Sequence, residues 1–412
     1  MRRQTLLPVF AASLLCLLSA CGDNNTPKCQ PDEVLQGGAC ISSVQAPCVP
    51  EENGQERQAA CGQEGLVYAA CFLTGEVATL SSKGATPMVK SVGDHPQALS
   101  GMGEFLLCTD DSARQLLRLD AQTLKPLGKA VDTGATPIHV SVSRDERYVY
   151  VINAGDNSLQ VVDGPTWQTQ AELPFGPNTS PQAFAMMGNC GYVPLYGNLG
   201  NGQTAPGQRL VRINLSKPTS PSLQGEADFS SLDLHPYSTE YPSVPLPYDV
   251  VVHKGALYVA LNNLYNAGNG FFSPAGPGAI AKVDPQTLNT EVLFLGDECL
   301  NVASLVSNGE VLLASCMGDW GVPGTAGVAL LKDDKVQKIW PAPADFSPGA
   351  LAVQCDELWV ANAGGGDVYV FSIGGQSLEL LWGVGGTKGG PMEACPKSLS
   401  GYATVQSLWS KP

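Results

Sequence analysis

The segment TPIHVSVSRDERYVYVINAGDNSLQVVD, Thr136 to Asp163, returns in weakened copies along this 412-residue chain, and a repeat of that length leaves few folds open. Each copy opens on a proline, or once on a leucine, and runs into a short apolar strand. A turn leads to a second strand ending near Asn, and a third strand ends in Asp. The copies open at Pro96, Pro137, Pro181, Pro247, Leu300, Pro348 and Pro396. A period of this size with about four strands per repeat marks a β-propeller, one blade per repeat. GLVYAAC, GEVATLSS and PMVKSVG, beginning at Gly65, read as strands B, C and D of a blade that lacks its strand A. PKSLSGYATV, Pro396 to Val405, reads as a strand A with little after it. Joined, the two halves complete a seventh blade and remove the open sheet edge. Leu408-Trp409 mimics Leu358-Trp359, so a strand B from the C-terminus stays open as an alternative. The expectation is an all-β chain with a seven-bladed β-propeller over 65–412, closed between its N- and C-terminal strands. Its 46 glycines and 31 prolines supply the turns, and a hydrophobic fraction of 43% supplies the core.

Residues 1–20 read as a leader. Arg2 and Arg3 form a basic start, and Leu6 to Leu18 is mostly apolar but short, with Pro8 inside it. Leu18-Ser19-Ala20-Cys21 resembles a bacterial lipobox. That resemblance implies cleavage before Cys21 and a lipid, palmitate included, on its thiol. A plain secretory signal cut after Ala20 is the alternative. Gly22 follows the cysteine, so the inner-membrane retention Asp of the resembled class is missing and the expected address is the outer membrane or cell surface. The whole chain carries a net charge of −15, and losing Arg2 and Arg3 with the leader takes it to −17. Such a chain repels phosphate backbones, which excludes nucleic acid as a partner.

Residues 21–64 read as a polar tether stapled by two local bridges, Cys29–Cys40 and Cys48–Cys61, as an oxidising compartment favours. Cys299 and Cys395 stand just before strand A openers, and Cys71 and Cys316 stand at strand B ends. Those positions are neighbours across a hairpin, which predicts Cys299–Cys316 and a ring-closing Cys71–Cys395. Cys108 is left for the core. Cys190 and Cys355 fall in A–B turns of non-adjacent blades, with no bond expected between them.

The blade from Thr136 to Gly176, with VYVINAGDNSLQVVD, resembles the YVTN-type propeller repeat, and LWVANAGGGDVYVF within Ala350 to Phe371 matches the same pattern. The resemblance covers most of 65–412 and is strong in these two blades. The family includes surface proteins, and its neighbours include lactonases and quinoprotein subunits. It therefore implies fold more than activity.

Long insertions in blades three to five share the face built from D–A and B–C connections. They carry Tyr196, Asn262, Asn263, Tyr265, Asp319 and Trp320, rings beside amides and a carboxylate, which suit a glycan or peptide. Packing of these loops on one another is the competing reading. At the channel mouth, two residues past each opener, stand Ala98, His139, Ala183, Asp249, Val302, Ala350 and Ser398, with Asn301 one residue earlier in its blade. His139 and Asp249 could form an acid–base pair, or each could simply bond a neighbouring blade. His95 and His253 read as surface residues. No HExxH, GxSxG, CxxCH or Walker pattern is present, and GVGGTKGG lacks the order a phosphate loop needs. No catalytic residue, metal or cofactor is assigned. The leading expectation is a lipid-anchored envelope propeller binding a protein or glycan without catalysis. A lactonase-like or quinoprotein-like enzyme and a rigid scaffold in an envelope complex are the alternatives.

Overall fold

The computed structural model describes residues 33–36, 39–42, 48–50, 66–81, 87–197, 207–240, 243–268, 271–320, 322–344, 346–363, 366–374, 377–383, 392–393 and 405–410. The chain divides into two units, Met1–Pro47 and Cys48–Pro412. The first contains an antiparallel hairpin, Glu33–Gln36 against Ala39–Ser42. Among the described residues the second contains seven antiparallel four-stranded sheets, the blades of a β-propeller, with Met392–Glu393 added to blade six and one further two-stranded hairpin.

Blade two sets the pattern. Its strands A to D are Pro137–Val142, Tyr148–Asn153, Ser158–Asp163 and Gln168–Pro174. Strands B and C are buried, and strand D is mostly exposed at the rim. YVYVIN and SLQVVD read as near-continuous apolar runs because both of their faces meet a neighbouring blade. Val149, Val151 and Val162 pack on Leu107 and Leu116 of blade one. Tyr150, Ile152, Leu159 and Val161 pack on Val193, Leu195 and Ile213 of blade three. Among the described residues seven such clusters form, each shared by two adjacent blades. No blade owns a core, so burying both faces of every blade requires a closed ring.

The aspartate that ends strand C has a local cause. In blades one, two and four the sequence reads Asp-x-x-Thr, and the carboxylate accepts the amide of the threonine at 2.7 Å (Asp120–Thr123), 2.9 Å (Asp163–Thr166) and 2.6 Å (Asp284–Thr287). The next residue, Leu124, Trp167 or Leu288, adopts a left-handed φ of 55°, 54° or 62° and donates its amide to the carbonyl of the same aspartate. The carboxylate supplies the turn that glycine would otherwise have to supply. Each of these carboxyls is held below its ordinary pKa, first by its threonine.

Ring closure is as expected in kind but differs in detail. The inner strand of blade seven is Val405–Ser410, paired with Val67–Cys71, and Glu76–Leu80 and Met88–Ser91 follow outward. Pro396 to Thr404, expected to begin this strand, lies outside the described residues. Val405 faces Cys71 and takes the opener's place, and Leu408-Trp409 belongs to strand A rather than to a strand B. Blade five corrects the frame in the same way. Pro137 and Pro348 lie opposite Asn153 and Asn362, whereas the partner of Cys316 is Val302, not Leu300. Thr136, Leu246 and Asn301, with φ of 53°, 49° and 55°, are equivalent residues just before the opener. Without a proline to mark it, the two-residue lengthening of that connection is invisible in the sequence.

Cys299–Cys316 is bonded as expected, with Cα atoms 5.0 Å apart. The expected Cys48–Cys61 bridge is overturned, because Cys48 bonds Cys190 across a separation of 142 residues. The segment docks as well as bonds. The Cys48 amide donates to Gln224 Oε1 at 2.7 Å, and the Val49 amide to Asn189 Oδ1 at 2.9 Å. Cys48 is buried in the cluster between blades three and four, a non-local fit that spacing cannot reveal. Cys71 and Cys355 are also disulfide-bonded. Cys29, Cys61 and Cys395 lie outside the described residues, so the pairings expected for Cys29–Cys40 and Cys71–Cys395 do too. Cys108 is a buried free thiol, raised in pKa by that burial.

Candidate functional site

A register shift follows the opener of strand A, at Pro96/Leu99, Pro137/His139, Pro247/Val250, Val302/Ser304 and Pro348/Leu351. Such bulges re-aim side chains. On the corrected frame, the ring position two past the opener holds Ala98, His139, Ala183, Asp249, Ser304, Ala350 and Ser407, with Ser304 replacing Val302 and Ser407 replacing Ser398. Asp249 Oδ2 accepts the Leu305 amide at 2.8 Å and the Ser304 hydroxyl at 3.2 Å, and Oδ1 accepts the Val250 amide at 2.8 Å. Burial nonetheless pushes its carboxyl up to about 6. Burial pushes His139 down to about 4, against a hydrogen bond with the Phe184 backbone. Phe184 and Leu305 are equivalent residues, each three past its opener. His139 and Asp249 thus perform the same task, each fastening its blade to the next. They belong to blades two and four, and blade three separates them. Asn301 sits just before Val302, and its carbonyl accepts the Met317 amide at 3.0 Å. Beside the mouth, Tyr248 is 37% exposed and meets Tyr196 edge-on, with ring centroids 5.9 Å apart.

The upper face is formed by the D–A and B–C connections. Asn262 and Asn263 are buried. Asn262 Nδ2 donates to the Val302 carbonyl at 2.8 Å, and Asn263 Nδ2 to that of Pro277 at 3.0 Å. These amides hold the insertions together instead of presenting themselves to solvent. Tyr265 is half-buried in an added hairpin, Leu264–Gly268 against Phe271–Pro274. Val244 and Leu264 bridge that hairpin to the connection between blades three and four, and the Tyr237 amide donates to the Ala275 carbonyl at 2.7 Å. The Tyr237 hydroxyl donates to Asp297 Oδ1 at 2.5 Å, and His235 stacks on Phe294. Much of the insertion length is therefore spent on mutual packing.

Trp320 is the exception, at 91% exposure. It stands in a turn whose Val322 amide donates to the Asp319 carbonyl at 3.0 Å. The Thr325 hydroxyl accepts the Asp319 amide at 2.9 Å and donates to the Val322 carbonyl at 2.8 Å. Met317 and Val322 are exposed beside it. Trp320, Asp319 and Tyr237 are legible in the sequence as residues of these insertions, whereas nothing in it singles out Met317 and Val322.

At the opposite end a cavity of about 270 Å³ lies between blades four and five, lined by His253, Lys254, Tyr258, Lys282, Asp333 and Asp334. Its charges are already paired, Lys254 with Asp333 and Lys282 with Asp334. His253, expected at the surface, is 4% exposed, with Nδ1 2.7 Å from Ser307 Oγ. His95 is half-buried and stacked on Phe72. Among the described residues no cluster of His, Cys, Asp and Glu could hold a metal ion.

No family model and no curated protein matches the chain. Solved structures do. A candidate 6-phosphogluconolactonase from Bacteroides uniformis aligns over 85% of this chain and 100% of its own, at 13% identity and a TM-score of 0.59. A second, from Bacteroides fragilis, aligns over 86% and 99%, at 12% identity and 0.56. Hydrazine synthase of Kuenenia stuttgartiensis aligns over 68% and 76%, at 18% identity and 0.52. At these identities the likeness is one of fold, and the chain is a seven-bladed β-propeller.

Proposed function

We propose that this protein is a lipid-anchored cell-envelope propeller that binds a protein or glycan partner through the upper face of blades three to five and performs no chemistry there. The observation that carries the reading is Trp320. A tryptophan held out on a self-bonded turn exposes a large ring to water at no folding gain, and large rings usually dominate interface energy. Trp320→Ala should melt like the wild type and lose its partner. Retained binding in a folded Trp320→Ala, Tyr265→Ala protein would remove this face from consideration. The anchor has its own test. Cys21→Ala should move the protein from the outer-membrane fraction to the soluble one, and a variant that still sediments with membranes at unchanged mass would overturn lipidation. The likeness of blades two and six to YVTN-type repeats agrees with a surface address.

A second reading, a lactonase-like enzyme at the channel mouth, draws on the named neighbours and on the perturbed His139 and Asp249. Two things weigh against it. Both side chains are committed to the next blade. The upper loops of blades three to five contain no lysine or arginine, so a phosphorylated lactone would meet carboxylates there. Hydrolysis of a lactone that vanishes in Asp249→Asn would favour this second reading.

A further inference from the structure

The distribution of charge around the exposed apolar loop identifies the kind of partner. The upper connections of blades three to five span 196–208, 229–246, 262–277, 297–301 and 317–326. They contain Asp233, Glu240, Asp297, Glu298 and Asp319 and neither lysine nor arginine. Asp233, Glu240, Asp297 and Glu298 are exposed. Among the described residues no ion pair engages any of the five. The cations of these blades' turns lie at the other end of the strands, where Lys254 and Lys332 pair with Asp333 and Glu310. Arg209, which opens strand C of blade three at this end, is paired with Glu226, so Trp320, Met317, Val322 and Tyr237 stand exposed beside an excess of unpaired carboxylates.

We propose, building on the reading that this face binds a partner, that the partner is a protein presenting a basic patch around a pocket for Trp320. Opposite charge around a buried ring gives steering and specificity, while the ring supplies most of the affinity. An anionic lipid surface is the wrong sign for these loops.

The test uses the full-length protein in non-ionic detergent and two probes, a displayed library of random 15-residue peptides and soluble peptidoglycan fragments. Enriched peptides should be rich in Lys and Arg with at least one large apolar residue. Their affinity should fall roughly thirtyfold in Trp320→Ala. It should also fall in Glu298→Gln, Asp319→Asn, and as salt rises past about 0.1 M. Enriched peptides that are neutral or acidic overturn the proposal. So does basic-peptide binding that Trp320→Ala leaves intact, because charge alone then accounts for it. If no peptide enriches while peptidoglycan fragments bind in a Trp320-dependent manner, the basic-protein partner is wrong and the face remains a binding surface. If no probe depends on Trp320, both readings fall.

Discussion

Replacing Cys48 and Cys190 together by alanine should lower the melting temperature by about 6 °C. The bond closes a separation of 142 residues, against 17 for Cys299–Cys316. In the chain-entropy treatment those loops correspond to about 5 and about 3 kcal/mol of stabilisation. For a unit as long as Cys48–Pro412, the unfolding entropy near 60 °C is roughly 0.8 kcal/mol per degree. Dividing gives shifts of about 6 °C for the first bond and about 4 °C for the second. Both pairs are buried, so loss of packing adds to both, and the ordering is the firmer expectation. The assay is far-UV circular dichroism of both double variants and the wild type, heated at one scan rate in non-reducing buffer. A Cys48→Ala, Cys190→Ala protein that melts with the wild type would refute the reasoning. The docked segment would then fray before the ring opens and would not belong to the cooperative unit.

Other outcomes follow from the titrating groups. Asp249, raised to about 6, favours the fold in its protonated form, so its contribution is complete below about pH 4 and is lost as pH rises through 6. Asp249→Asn should flatten the stability profile in that window, and an unchanged slope in urea titrations at pH 4, 5, 6 and 7 would refute the assignment. His253, buried and lowered to about 4, acts in the opposite sense: stability is full above pH 6.5 and falls as pH drops toward 4. His253→Gln should remove that loss. A variant as acid-sensitive as the wild type would show that other groups dominate. Trp320→Ala and Cys21→Ala, with their binding and fractionation readouts, complete the set.

The sequence determined the blade count, the strand pattern and the closing principle, because each strand's burial is written locally. Apolar runs such as YVYVIN, the Asp-x-x-Thr turns and the opener prolines act within a few residues of themselves. The Cys299–Cys316 bond was legible for the same reason, since it spans one hairpin. Legibility ended where contact crosses blades or where a connection changes length without a marker. Val302 and Val405 open their strands without proline, so the ring position shifted onto Ser304 and Ser407. Asn262 and Asn263 looked available in sequence and proved to be internal ties. Cys48–Cys190 joins the tether to a blade far along the chain, and only docking through Gln224 and Asn189 selects it. The exposure of Trp320 likewise depends on what the surrounding loops leave uncovered. Local hydrogen bonding and burial period are properties of neighbouring residues and can be read in order. Pairing across blades and the final exposure of a loop are properties of the closed ring, which exists only after all seven blades have met.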